Sequence, residues 1–218
     1  MSLCLVPAEE TRTEIRVKNS RFIATMAPVF SVEEARAFVA RIKEIFADAT
    51  HNVPAYVIGH GPATTAHCND DGEPAGTAGR PVLAVLQGSG LGDAAIVVTR
   101  YSGGTKLGTG GLVRAYGDAA RAVLALVPRA QKVTMHTVRI AAVPYNLFEP
   151  LRLLVAEHRG RIVEETFAAA VTVRAQFPLR QLPAFRQALQ ERSNGTLQAE
   201  IVATEENMIL PLPAGASS

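Results

Sequence analysis

The sequence predicts an α+β chain of two domains, the first at 1–132 and the second, at 133–213, a ferredoxin-like βαββαβ unit, with a disordered tail at 214–218. Three observations carry this. Apolar patterns of period 2 and period 3.6 are interspersed along the whole chain, so strands and helices share each domain. Pro128, followed by the polar stretch Arg129–Lys132, interrupts the pattern once. Beyond it, six segments in the order strand, helix, strand, strand, helix, strand fit within about 75 residues, the split unit of ferredoxin-like folds. A chain of 218 residues with 48% hydrophobic and 19% charged side chains can fill the cores of two domains of about 100 residues each.

In the first domain, Thr11–Val17 alternates and Phe22–Val29 is mostly apolar; with Lys18-Asn19-Ser20-Arg21 between them they read as a hairpin. Ser31 and Glu34 form a capping box that opens an amphipathic helix reaching Phe46, with Ala35, Phe38, Val39, Ile42 and Ile45 inward. His51–Ile58 is a third strand. Gly59–Gly79, rich in Gly, Pro, Thr and Asp, reads as a long loop, a length that in compact domains goes with function or disorder. Arg80–Gln87 is a short helix ending at Gly88-Ser89-Gly90, Ala95–Thr99 a strand and Leu112–Val127 a helix. In the second domain the elements are a strand at Val133–Val143, a helix at Tyr145–His158 with Leu147, Leu151, Leu154 and Val155 inward, and a left-handed stop at Gly160. Strands at Arg161–Thr166 and Ala169–Phe177, a helix at Leu182–Arg192, a turn at Asn194-Gly195 and a strand at Leu197–Thr204 complete it.

The chemistry concentrates in two loops of the first domain. Val97–Gly117 carries six glycines, three cations and no carboxylate, between a strand and a helix. That arrangement aims backbone N–H groups and the positive end of a helix at an anion. The candidate anion-binding residues are Arg80, Arg100, Tyr101, Gly103, Gly104, Thr105, Lys106, Gly108, Thr109, Gly110, Gly111 and Arg114. The segment is no Walker loop, because no Gly-Lys-Ser/Thr closes it at the required spacing, and no dinucleotide fingerprint. The second loop, Asn69–Arg80, gathers Asp70, Asp71 and Glu73. Hard oxygens this close suit Mg²⁺ beside a phosphate; equally, they cap the helix that follows, or pair with Arg100, Lys106 or Arg114. His60, His67 and Cys68 lack the paired spacing of a zinc site. His51 is open among base, phosphate donor and structural cap.

The net charge is only +2, with 14 Lys/Arg against 12 Asp/Glu up to Lys132 and 8 against 8 beyond it, so any basic surface is local and lies in the first domain. Cys4 and Cys68 provide no disulfide framework. No apolar run approaches the ~18–20 residues of a membrane span, and the first residues lack the pattern of a signal peptide. The expected location is the cytoplasm, with no membrane partner.

Asp70–Pro81 (DDGEPAGTAGRP) and Val98–Gly117 (VTRYSGGTKLGTGGLVRAYG) resemble the two signatures of the YigZ/IMPACT family, and Lys18–Ile23 and His51–Tyr56 match its earlier landmarks. The resemblance extends over nearly the whole chain. Ser102 departs from it where the family is expected to carry an aromatic residue. The resemblance implies a first domain with the fold shared by GHMP kinases and domain IV of elongation factor G, and a second similar to domain V of that factor. It also implies translation regulation, which eukaryotic members perform by competing for the activator of a stress kinase. The expectation is a translation-associated regulator binding RNA or a ribosomal surface through phosphate contacts of the glycine-rich loop, or acting on a protein partner. The alternative is a metal-assisted enzyme, with Asp70, Asp71 and Glu73 holding Mg²⁺, acting on a small phosphorylated or nucleotide ligand.

Overall fold

The computed structural model describes residues 4–212; the tail expected at 214–218 lies outside them. The chain divides into two compact units, one of residues up to Lys132 joined by those from Ile209, the other Val133–Met208.

The first unit is built on a five-stranded antiparallel sheet in the order β2-β3-β6-β4-β5. Its strands are β2 (Thr11–Val17), β3 (Ser20–Pro28), β4 (His51–Ile58), β5 (Thr65–Cys68) and β6 (Ala94–Tyr101). Central β6 is buried from Ala94 to Arg100, which explains its unbroken β-branched run. Helices α2 (Gly79–Gly88) and α3 (Thr109–Leu126) cover the face that carries Phe22, Val53, Ile96 and Val98. Helix α1 (Val32–Ile45) covers the other, against Ala27, Tyr56, Ala95 and Val97. The capping box forms at α1: Ser31 Oγ accepts from Glu34 N at 3.0 Å, while Glu34 Oε2 accepts from Phe30 N, one residue upstream, at 2.7 Å. Ile45, expected inward, is 49% exposed, and the buried face is Ala35, Phe38 and Ile42.

Three expectations are corrected here. Gly59–Gly79 is not all loop, because β5 pairs with β4 from Ala55↔Cys68 to Ile58↔Thr65. Arg129–Lys132 is not a connector: β7 (Arg129–Val143) begins there, its first residues paired antiparallel with β1 (Leu5–Pro7). Helix α3 starts at Thr109, three residues before Leu112, and takes in Gly110 and Gly111.

In the second unit β10 (Glu200–Pro211) pairs with β7, β7 with β9 (Val171–Pro178) and β9 with β8 (Arg161–Phe167), giving the order β10-β7-β9-β8. This is the ferredoxin-like arrangement the element order predicts. Helices α4 (Tyr145–Glu157) and α5 (Leu182–Arg192) bury Leu151, Leu154, Phe185 and Leu189 against Val138, Ile140, Val173 and Phe177. The final strand starts at Glu200, later than the expected Leu197. The left-handed residue after α4 is Arg159, φ 55°, not Gly160. Gly160 is needed for space, since a Cβ there would lie 2.3 Å from the Phe177 ring.

Candidate anion-binding site

Strand β6 delivers the glycine loop, whose first anchor is a close approach. A Cβ on Gly103 would fall 1.9 Å from the carbonyl oxygen of Asn19 in the β2–β3 turn. The same turn holds Thr105, whose Oγ1 accepts from Asn19 Nδ2 at 3.0 Å. Ser102 N donates to Thr50 Oγ1 at 3.0 Å. Gly104 and Gly108, both with φ 76°, supply the positive-φ turns that bring the chain into α3. Gly108 is the N-cap of α3; no side chain caps this end and no acid lies in its first turn. The Leu112 amide reaches Gly108 O at 2.9 Å, so the amides of Thr109, Gly110 and Gly111 precede the first intrahelical bond and are open to a ligand.

Around this opening, residues 102–106 and 108–110 are exposed, as are Arg80 and Arg114. Among the described residues, Arg80, Lys106 and Arg114 form no ion pair and no side-chain hydrogen bond, whereas Arg12, Arg16, Arg21, Arg41, Lys43 and Lys132 of the same unit are all paired with acids.

Two residues expected in the site lie elsewhere. Arg100 is only 7% exposed. Its Nη1 donates to Glu73 Oε1 at 2.6 Å, its Nη2 to Ser20 Oγ at 3.4 Å, and its Nε is buried without a partner. Arg100 shares the strand parity of Ile96 and Val98, and therefore points with them under α2 and α3. That parity was the available signal that this arginine needs a buried acid. Tyr101 donates its hydroxyl to Asp48 at 2.7 Å, a bond that pushes the phenol above its usual titration range, and Arg21 lies over its ring at 4.6 Å.

The acidic loop is tied into the fold. Asp70 Oδ1 accepts from Ala78 N and Gly79 N at 3.1 and 2.8 Å, and Oδ2 from Gly76 N at 2.8 Å. It thus caps α2 from eight residues upstream. Desolvation pushes its carboxyl up, but these amides and Arg80 outweigh it and hold Asp70 below the usual carboxylate range. Asp71, with φ 49°, accepts from Asn52 N at 2.6 Å and pairs with Lys43 at 2.5 Å. Glu73, 8% exposed, accepts from Tyr116 Oη at 2.8 Å as well as from Arg100. Burial first, then this bond, pushes the Tyr116 phenol above its ordinary range, which favours its role as the donor to Glu73. His51 joins the cluster: Nδ1 meets Asp71 O at 2.7 Å and Nε2 lies 3.8 Å from Glu73 Oε1. The three acids thus serve three separate structural contacts rather than one ligand set, and among the described residues no three His, Cys, Asp or Glu side chains form a metal-binding group. His60 and His67 are apart as well: His60 contacts Leu5 O and Asp93, while His67 lies against Tyr56.

With this geometry in place, comparison with known proteins is specific. Residues 18–124 match the Impact N-terminal domain and residues 142–196 a domain of unknown function (DUF1949). IMPACT family member YigZ of Escherichia coli (strain K12) is 37% identical over 210 residues, 94% of this chain and 100% of that protein. IMPACT family member YvyE of Bacillus subtilis (strain 168) is 36% identical over 182 residues, 84% of this chain and 83% of its own length. A crystal structure of a hypothetical protein, 36% identical, superposes with a TM-score of 0.63 over 93% of this chain and 98% of that one. The chain belongs to the IMPACT family. Among the described residues no helix is long and apolar enough to cross a membrane.

Proposed function

We infer that the uncapped start of α3, with Lys106, Arg114 and Arg80, binds phosphates of RNA or of a ribosomal surface, in a translation-associated role of the kind its family resemblance implies. One observation carries the reading: the start of α3 has no side-chain cap and no acid in its first turn, and the exposed Lys106 and Arg114 beside it form no salt bridge among the described residues, while Arg80, which also acts on Asp70, forms none either. Contacts of this kind position a partner without reading sequence. The metal-assisted enzyme loses its main support, because Asp70, Asp71 and Glu73 are occupied by backbone amides, Lys43, Arg100 and Tyr116.

The test is binding of a short single-stranded RNA, followed by fluorescence anisotropy across a salt series. Neutralising three phosphates on a single strand gives a slope of log K against log salt near about −2. Affinity independent of salt contradicts phosphate binding and leaves a protein partner as the better account.

A further inference from the structure

We propose that the cleft between α1 and the β4–β5 hairpin, on the sheet face opposite α2 and α3, binds a small ring-bearing phosphate ester of mononucleotide size. The cleft measures about 300 Å³, the lower end of the ~300–1,000 Å³ usual for small-molecule sites. One wall is a single helical stripe, Arg36, Val39, Ala40 and Lys43, at positions i, i+3, i+4 and i+7 of α1. The other is one face of the hairpin: Pro54 and Tyr56, two apart on β4, and His67, which sits directly opposite Tyr56 in the register.

The lining holds three nitrogen-bearing side chains and no carboxylate. The side chains of Arg36 and His67 are exposed and make no hydrogen bond or ion pair among the described residues, so both are available to an anion. The nearly buried Tyr56 ring, 6% exposed, backs the exposed His67 ring at 5.2 Å with a 32° tilt, so the His67 ring is the aromatic surface that the cleft presents, continued by Pro54 and Val39. A planar ring fits that wall, and a phosphate fits Arg36, whose guanidinium bonds it in a two-pronged fashion. Lys43, about 10 Å along the helix from Arg36, is already paired with Asp71. That end of the cleft therefore suits a neutral hydrogen-bonding group better than a second anion. A cationic end, an aromatic wall and a polar far end match a nucleoside monophosphate and do not match a bare anion.

The site is separate from the start of α3, and the experiment keeps the two apart. Adenosine and uridine 5′-monophosphates are titrated into the full chain by calorimetry and amide NMR, with inorganic phosphate and adenosine as controls. Expected are saturable binding of the monophosphates at least about tenfold tighter than either control, with shifts at the Val39, Ala40 and His67 amides. Arg36→Glu and, independently, His67→Ala weaken it about tenfold or more, both being exposed positions that leave the fold intact. Lys106→Ala/Arg114→Ala leaves it unchanged, whatever that double change does to RNA binding. Absence of saturable binding, equal binding of inorganic phosphate, indifference to Arg36→Glu and His67→Ala, or shifts confined to Gly108–Gly111 would each overturn the proposal.

Discussion

In the acidic loop each carboxylate has protein partners: Asp70 three backbone amides, Asp71 Asn52 and Lys43, Glu73 Arg100 and Tyr116. In the glycine loop Lys106 has none among the described residues, and neither does Arg114 just beyond it. Both loops carry dense charge and glycine, and from composition both look like places where a ligand sits. The acids are consumed in closing α2 and neutralising a buried arginine. The cations are left at an uncapped helix end. Charge density alone therefore does not mark a site; what separates the two loops is that one has its charges satisfied within the protein and the other does not.

The sharpest way to break this comparison is to remove Glu73. Glu73→Ala leaves the Arg100 guanidinium buried and uncompensated, and should cost about 3–5 kcal/mol in denaturant unfolding; a loss below 1 kcal/mol would mean the pair is not structural. Gly103→Ala tests where the glycine loop stops being free. Its Cβ would meet Asn19 O, so a loss of about 1–3 kcal/mol is expected, against a smaller effect from Gly110→Ala, where nothing lies within 4 Å. Asp70→Ala removes a cap and should cost about 0.5–2 kcal/mol. The folded carboxyl of Asp70 is depressed, so its contribution is complete above the ordinary aspartate value and is lost as pH falls through the lower folded one. Wild-type and Asp70→Ala stabilities should therefore converge below about pH 4; a constant gap down to pH 2 contradicts the assignment.

Local rules made much of the fold legible. The Ser31 capping box, the β2–β3 hairpin and the βαββαβ order all follow from residues close together in sequence. What escaped depends on distant partners or on weak local signals. Strand β5 is a short edge strand whose first three residues are exposed, so it shows no alternation. The pairing of Arg129–Gln131 is set by Leu5–Pro7, at the other end of the domain. Gly110 and Gly111 disfavour helix in isolation, yet α3 includes them. At the site, the glycine loop, Lys106 and Arg114 were readable as an exposed cationic turn. The charge of Arg100 points to the surface while its strand parity with Ile96 and Val98 sets it inside, and the roles of Asp70 and Glu73 follow from contacts with Gly79, Arg100 and Tyr116 that no spacing rule displays.

The most direct measurement compares wild type with Lys106→Ala/Arg114→Ala for RNA affinity across salt and for stability in parallel. Removing two phosphate contacts should weaken binding at low salt by at least about tenfold and flatten the salt slope by about 1.4. Stability should stay within about 0.5 kcal/mol of wild type, since both side chains are exposed and unpaired. Unchanged affinity and slope in a folded double variant would contradict the account and remove the glycine loop from the binding surface.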